Sequence, residues 1–218
     1  MFEKFFKLWS TGNLLEASFE EVENMIKLAR DMVEYSINLV IENAKNREDI
    51  YKSDQELNHS EREVRRKVLE HLSINPAQDI NPSLILVTII IDIERIGDYS
   101  KNIVELADQS GDSLECEYTN IIRDLKSRIV KNINTTIESF KEGNEEKAMP
   151  VLEDHLEIVN ICEENMAKLI NEEIKISTRL SIIYTLLFRY IKRVSAHIKN
   201  VASSIINPYD RIGFKPKE

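Results

Sequence analysis

Glu94 and Asp98 are the pair in this chain whose residue types and spacing could do chemistry. Four residues apart on a helix, their carboxylates stand one above the other and repel, and Glu105 lies further along the same stripe. Such a pair binds a hard or borderline cation when further ligands arrive from a neighbouring helix. Asp54, early in the preceding helical stretch, is the candidate third ligand, and His59 is a less favoured fourth. The alternative is a solvated face on which Arg95 and Lys101 partly neutralise the acids, and spacing leaves both readings open. Gly97 stands between the two acids. A glycine there costs a helix about 1 kcal/mol relative to Ala, which points to a close neighbour or ligand. Acid–base catalysis would need an apolar pocket that separates the two pKa values and a nucleophile to accompany them. The chain offers no nucleophile motif, no phosphate-cradling glycine loop, no His-Glu-x-x-His and no Ser/His/Asp signature.

The elements that carry these residues are helical. With 42% hydrophobic and 31% charged residues but only 5 Gly and 5 Pro in 218, the composition is that of a soluble helical protein. A net charge of −9 argues against a general nucleic-acid or anionic-membrane binder and fits cation binding or plain solubility. Cys116 and Cys162 fall in no metal-ligand or disulfide spacing, which points to free thiols in a reducing cytosol. The longest apolar run, Leu84 to Ile91, is far short of the roughly 20 residues needed to span a bilayer. The start of the chain, Met1 to Trp9, reads as a short amphipathic segment rather than a signal peptide: a lid on the core, or a helix touching a partner or membrane.

Apolar spacing predicts a first helix over about 18–43, with Val22, Met25, Ile26, Ala29, Met32, Val33, Ile37, Val40 and Ile41 on its inner face. A more polar second helix covers about 48–71. Asn75-Pro76 and Asn81-Pro82 bracket a loop, because a residue before proline is pushed out of helical geometry. The third helix runs from about Pro82 to Ala107 and carries the acidic pair. After a break at Ser110-Gly111-Asp112-Ser113, a fourth helix reaches Glu142 and Gly143-Asn144 stops it. A fifth helix reaches about Glu173 with Val151, Leu152, Leu156, Val159, Met166, Leu169 and Ile170 inward, and Pro150 in its early turns or at a kink. A sixth runs from Thr178 to Ile206 and ends at Asn207-Pro208.

Three helices, a break and three helices indicate an internal repeat. An offset of about 98 residues lays 91–103 on 189–201: the apolar positions, an Arg, a Lys and an Asn persist. Glu94 becomes Lys192, Gly97 becomes Ser195 and Asp98 becomes Ala196, so both copies need a packed helix but only one keeps the carboxylates. Lys192 is then either a surface lysine or a fixed positive charge where the first copy would hold a metal. His197, opposite Tyr99 in the alignment, reads as a packed or surface histidine.

The stretch Asp92-Ile93-Glu94-Arg95-Ile96-Gly97-Asp98, followed by Asn102-Ile103-Val104-Glu105, closely resembles the signature helix of the PhoU family of phosphate-uptake regulators. Asp54-Gln55-Glu56-Leu57-Asn58 resembles the start of that family's second helix. The resemblance implies an all-α fold of two pseudo-repeated three-helix bundles, divided here at 1–110 and 111–218. It implies a cytoplasmic, homodimeric adaptor, not an enzyme, that restrains a phosphate ABC transporter ATPase or its sensor histidine kinase and reaches the membrane only through them. It implies Glu94, Asp98 and Asp54 as metal ligands, with Asp92 and Glu105 in lesser roles, for divalent or trivalent ions, iron or zinc foremost, in a cluster that can be multinuclear. The second repeat departs from the pattern at Lys192 and Ala196, and residues 207–214 have no metal logic but suit a docking tail. The rival functions are an accessory role for another transporter and a metal-dependent phosphate hydrolase built on a carboxylate bundle.

Overall fold

The computed structural model describes residues 14–42, 49–74, 79–110, 114 and 116–214, and among them there is no strand. The helices are α1 (Leu14–Glu42), α2 (Ile50–Ile74), α3 (Ile80–Ser110), α4 (Glu117–Glu142), α5 (Glu145–Ile170) and α6 (Thr178–Ile206), followed by a 3-10 turn at Tyr209–Arg211. The amphipathic stretch Met1 to Trp9 lies outside the described residues. No helix among those described is long and apolar enough to cross a membrane.

α1, α2 and α3 pack on one another, as do α4, α5 and α6; α3 against α6 and α1 against α4 join the two triples around one continuous apolar core. All nine inward residues expected of α1 are buried. Phe19 on α1 meets Phe140 on α4 with ring centroids 5.6 Å apart, a tilted pair that fixes the seam between the halves. At its rim, Arg30 Nη1 donates to Asn134 Oδ1 (3.1 Å) and Lys126 Nζ to Asn38 Oδ1 (2.8 Å).

Helix ends follow local chemistry. Gly143, at φ 63°, takes the left-handed conformation that closes α4, with Asn144 N donating to Ser139 O at 2.9 Å. Asn144 then caps α5 by accepting from Lys147 N at 3.0 Å. Ser177 caps α6 in the same way, through Leu180 N.

Three expectations are corrected. Asn81 is helical, because α3 begins at Ile80 and Ser83 N donates to Asp79 O (3.0 Å). Pro82 is harmless there, since the first four N–H groups of a helix have no internal partner to lose. On α5, Leu156 and Ile170 are exposed and Val159 and Met166 only half-buried, while Ala148, Val151, Ile158, Cys162, Asn165 and Leu169 face the core. The inner stripe of α5 thus contains Cys162 and Asn165, and Asn165 is tolerated because its Nδ2 donates to Ile161 O at 2.7 Å. α5 also ends at Ile170 rather than near Glu173, and runs unbroken through Pro150.

Gly97 is explained by α2. A Cβ at this position would lie 2.6 Å from Leu57 Cδ1 and 3.5 Å from Met32 Cε, so the missing side chain lets α2 and α3 close over the fully buried Leu57. Gly97→Ala therefore sets a helix-propensity gain of about 1 kcal/mol against overpacking of about 1–3 kcal/mol. We expect a net loss of roughly 1 kcal/mol for Gly97→Ala and about 2–5 kcal/mol for Leu57→Ala. The double variant should cost clearly less than the sum of the two in urea unfolding, and additive costs would show that the two positions do not share space.

Candidate functional site

The first-half site lies at the seam of α2 and α3. Asp54, Asn58, Glu61 and Arg65 recur along one face of α2, and α3 presents Glu94, Asp98 and Lys101 to it. Lys101 Nζ stands between the helices, 2.8 Å from Asp54 Oδ1 and 2.9 Å from Asp98 Oδ1. Arg95, on the outer side, holds Asp98 Oδ2 through Nη1 at 2.7 Å and has Nε 3.5 Å from Glu94 Oε2. Asp54 Oδ2 accepts from Asn58 Nδ2 at 3.2 Å, and Glu61 is paired with Arg65 at 2.7 Å.

None of the three carboxylates faces open solvent: the side-chain exposures are 13% for Asp54, 16% for Glu94 and 27% for Asp98. Burial pushes the Glu94 carboxyl above its ordinary range, helped by the charges of Asp98 and Glu61 and opposed by Arg95. For Lys101 burial alone would favour the neutral amine, yet hydrogen bonding to Asp54 and Asp98 and their charges outweigh it, and its pKa is raised. The solvated-face reading and the cation-site reading therefore meet. The acids are neutralised by Arg95 and Lys101 as one predicted, but at an interhelical seam as the other required.

The donor set is all carboxylate oxygen, which suits hard cations such as manganese or iron more than soft ones. Asp54 Oδ1 is buried, and its close partner among the described residues is the Lys101 ammonium, 2.8 Å away in an ion pair. A buried carboxylate oxygen that already holds an ammonium suits a cation. No group of three or more acid, His or Cys side chains among the described residues is already arranged around a metal-sized point, and Lys101 occupies the space between Asp54 and Asp98.

The lesser candidates do not join the Asp54–Lys101–Asp98 cluster. His59 is exposed and lines a groove between α1 and α2 with Asn24, Leu28 and Lys52. Glu105 is exposed and accepts from Tyr51 Oη at 3.3 Å. Asp92, two residues before Glu94, points to the other half: its Oδ1 accepts from His197 Nδ1 (2.6 Å) and Asn200 Nδ2 (2.9 Å) on α6. Tyr99 stacks on His197, and Arg193 donates from Nε to Tyr99 Oη (3.1 Å) with its guanidinium 5.8 Å over the ring.

The second half carries a counterpart of reversed charge. On α5, Leu57 corresponds to Ile158 and Leu69 to Ile170, a shift of 101, which places His155 where Asp54 stands and Cys162 where Glu61 stands. His155 Nδ1 meets Ser195 Oγ at 2.9 Å, so the serine that replaces Gly97 is held by the histidine that replaces Asp54. Lys192 pairs with Glu163, and Lys199, in the place of Lys101, donates to Gly213 O at 2.6 Å. Burial first, and then Lys199 and Lys192, push the His155 imidazole down to about 4; burial also pushes the Cys162 thiol up to about 12. Glu61 and His155 escaped the sequence reading. The seven-residue step from Asp54 to Glu61, two turns on one face, could have found the first. A repeat search that let the offset differ between helices would have found the second.

A model of the PhoU domain matches residues 22–107 and 122–205. A protein of Clostridium acetobutylicum called phosphate-specific transport system accessory protein PhoU homolog is 20% identical over 206 residues, covering 90% of this chain and 94% of its own. A Thermotoga maritima protein called phosphate-specific transport system accessory protein PhoU homolog 1 is 24% identical over 175 residues, 78% of this chain and 74% of its own. In three dimensions the chain is similar to PhoU from Pseudomonas aeruginosa, with a TM-score of 0.78 at 20% identity over 88% of this chain and 95% of that one. It is also similar to the phosphate transport system regulatory protein PhoU from Streptococcus pneumoniae, with a TM-score of 0.77 at 15% identity, 88% of this chain and 91% of that one.

The His155 environment has a measurable consequence. Below 6.5 the unfolded chain takes up a proton that the folded imidazole refuses until about 4, so this residue's share of stability is present above 6.5 and lost as pH falls through that window. His155→Gln should flatten the decline of unfolding free energy between those pH values relative to the native protein. Parallel curves for the two proteins in urea titrations would refute the assignment.

Proposed function

The chain belongs to the PhoU family, and on that premise we propose that it is a regulatory adaptor that restrains phosphate uptake and phosphate signalling by binding, not by catalysis. The observation that carries this reading is the match of the PhoU domain model to both halves of the chain, together with relatives named as phosphate-specific transport accessory proteins. Its partners on this reading are the ATPase of a phosphate ABC transporter, a sensor histidine kinase, or both. It acts in the cytoplasm as a homodimer with one three-helix domain in 1–110 and a second, degenerate one in 111–218, and approaches the membrane only through those partners.

The same reading includes a cation site in the first half. Glu94, Asp98 and Asp54 would hold a divalent or trivalent ion, iron or zinc foremost. Such an ion would supply a fixed positive charge that cross-links α2 to α3 and stiffens the face presented to a partner. The acidic seam, the buried Asp54 oxygen already paired with an ammonium and the all-oxygen donor set support it. The second half, with Lys192, Lys199 and His155 in corresponding places, would hold no such ion and serves as a purely packed counterpart.

Affinity capture of the tagged full chain from phosphate-replete cells should retrieve a phosphate-transporter or kinase subunit, and deleting the gene should raise phosphate uptake under the same conditions. Unchanged uptake together with no transporter or kinase subunit in the capture would sink the adaptor reading. Metal analysis gives a separate check. The native protein should carry iron, zinc or manganese after purification with and without air, and Glu94→Ala/Asp98→Ala should carry at least tenfold less.

A further inference from the structure

We infer that Lys101 is a tethered competitor for the first-half cation site: its ammonium and a metal ion exclude each other between Asp54 and Asp98, so that loading the site expels the lysine. This rests on the cation site proposed above and adds its regulation. Three observations carry it. Lys101 Nζ lies 2.8 Å from Asp54 Oδ1 and 2.9 Å from Asp98 Oδ1, closer to both oxygens than a metal ion coordinated by them could tolerate another cation. Asp54 Oδ1 is buried and held by that singly charged ammonium, so a cation of higher charge has more to gain at the oxygen than the lysine does. And the lysine has somewhere to go: Glu105 lies one turn further along α3, exposed, accepting from the phenol of Tyr51 at 3.3 Å, and within the reach of a four-residue step.

The exchange is balanced in charge as well as space. With lysine in, Asp54 and Asp98 share one positive charge, and Arg95 covers the outer oxygen of Asp98. With a divalent ion in, the seam gains a charge and Lys101 moves to the exposed edge of α3, where Tyr51 and Glu105 lie. Metal state would thus be converted into the position of a surface ammonium, a difference that a partner protein can read. The second half keeps the lysine position as Lys199 but has lost the acids, and there the ammonium is settled on the Gly213 carbonyl at 2.6 Å with nothing to compete for.

The test uses the metal-stripped full chain titrated with Mn(II), and with Zn(II) in parallel. Lys101→Met should bind at least tenfold more tightly than the native protein, Lys101→Arg should remain weak, and Asp98→Asn in the Lys101→Met background should abolish the gain. A second readout needs no variant: brief acetylation of the native protein followed by mass spectrometry should label Lys101 several-fold more in saturating Mn(II), with Lys199 unchanged. Binding within twofold for native and Lys101→Met, or labelling of Lys101 that ignores the metal, overturns the competition while leaving the cation site standing. No binding of either metal by any of the proteins removes the site itself, and the competition with it.

Discussion

Two carboxylates from different helices, Asp54 on α2 and Asp98 on α3, stand at one half-buried seam only because a positive charge lies between them. Unpaired, two like charges a few ångströms apart in a medium of effective dielectric about 20 repel by several kcal/mol, which is comparable to the net stability of a domain. The rest of the first half is arranged around that constraint. Leu57 fills the space beneath the seam, Gly97 removes the side chain that would hold the helices apart, and Arg95 takes the oxygen of Asp98 that Lys101 leaves. A cation of some kind is therefore structural here before it is functional.

The second half shows what the same backbone does when that constraint is lifted. Ser195 stands in the glycine's place and is tied to His155, so at this point the α5–α6 seam closes by a neutral hydrogen bond of 2.9 Å, with the Lys192–Glu163 ion pair on its outer side. Burial keeps that imidazole uncharged, which matters with Lys192 and Lys199 close by. Two solutions to one packing problem follow from reversing a few charges: a seam closed around a lysine between two acids and a seam closed by a serine–histidine bond.

Most of the fold was legible because an apolar 3.6-residue period marks α1, α2, α4 and α6, and because Gly143 and Asn144 carry their stop and capping chemistry in backbone and side chain. The face of α5 was not, since Cys162 and Asn165 occupy inner positions that an apolar count passes over, while Leu156 and Ile170 lie outside. The start of α3 was misplaced because the rule against helical residues before proline weakens in a first turn, where no internal hydrogen bond is at stake. At the site, spacing placed Glu94 and Asp98 on one face, the need for ligands from a neighbouring helix suggested Asp54, and the family resemblance reinforced it. Neither could say which of Arg95 and Lys101 crosses to α2, because that depends on how the helices are rotated about their axes. His155 stayed hidden for a simpler reason: the two halves are offset by 98 residues at α6 but by 101 at α5, so no single alignment superimposes both seams.

The two seams are not independent, because α3 and α6 share a polar contact on the side facing away from each. Asp92 is two residues from Glu94, and His197 and Asn200, which bond it, flank Lys199 two and one residues away. Tyr99, next to Asp98, stacks on His197 and accepts from Arg193, the residue after Lys192. A rotation of α3 large enough to change what its inner carboxylates bind would also move Asp92 and Tyr99 against α6. Because Asp92 Oδ1 carries both of its bonds to α6 on one oxygen, a small turn would cost both at once. The halves are thereby held to a common arrangement of α3 and α6, and any change at the first-half site must either leave that arrangement alone, by moving a side chain such as Lys101, or shift both bundles together.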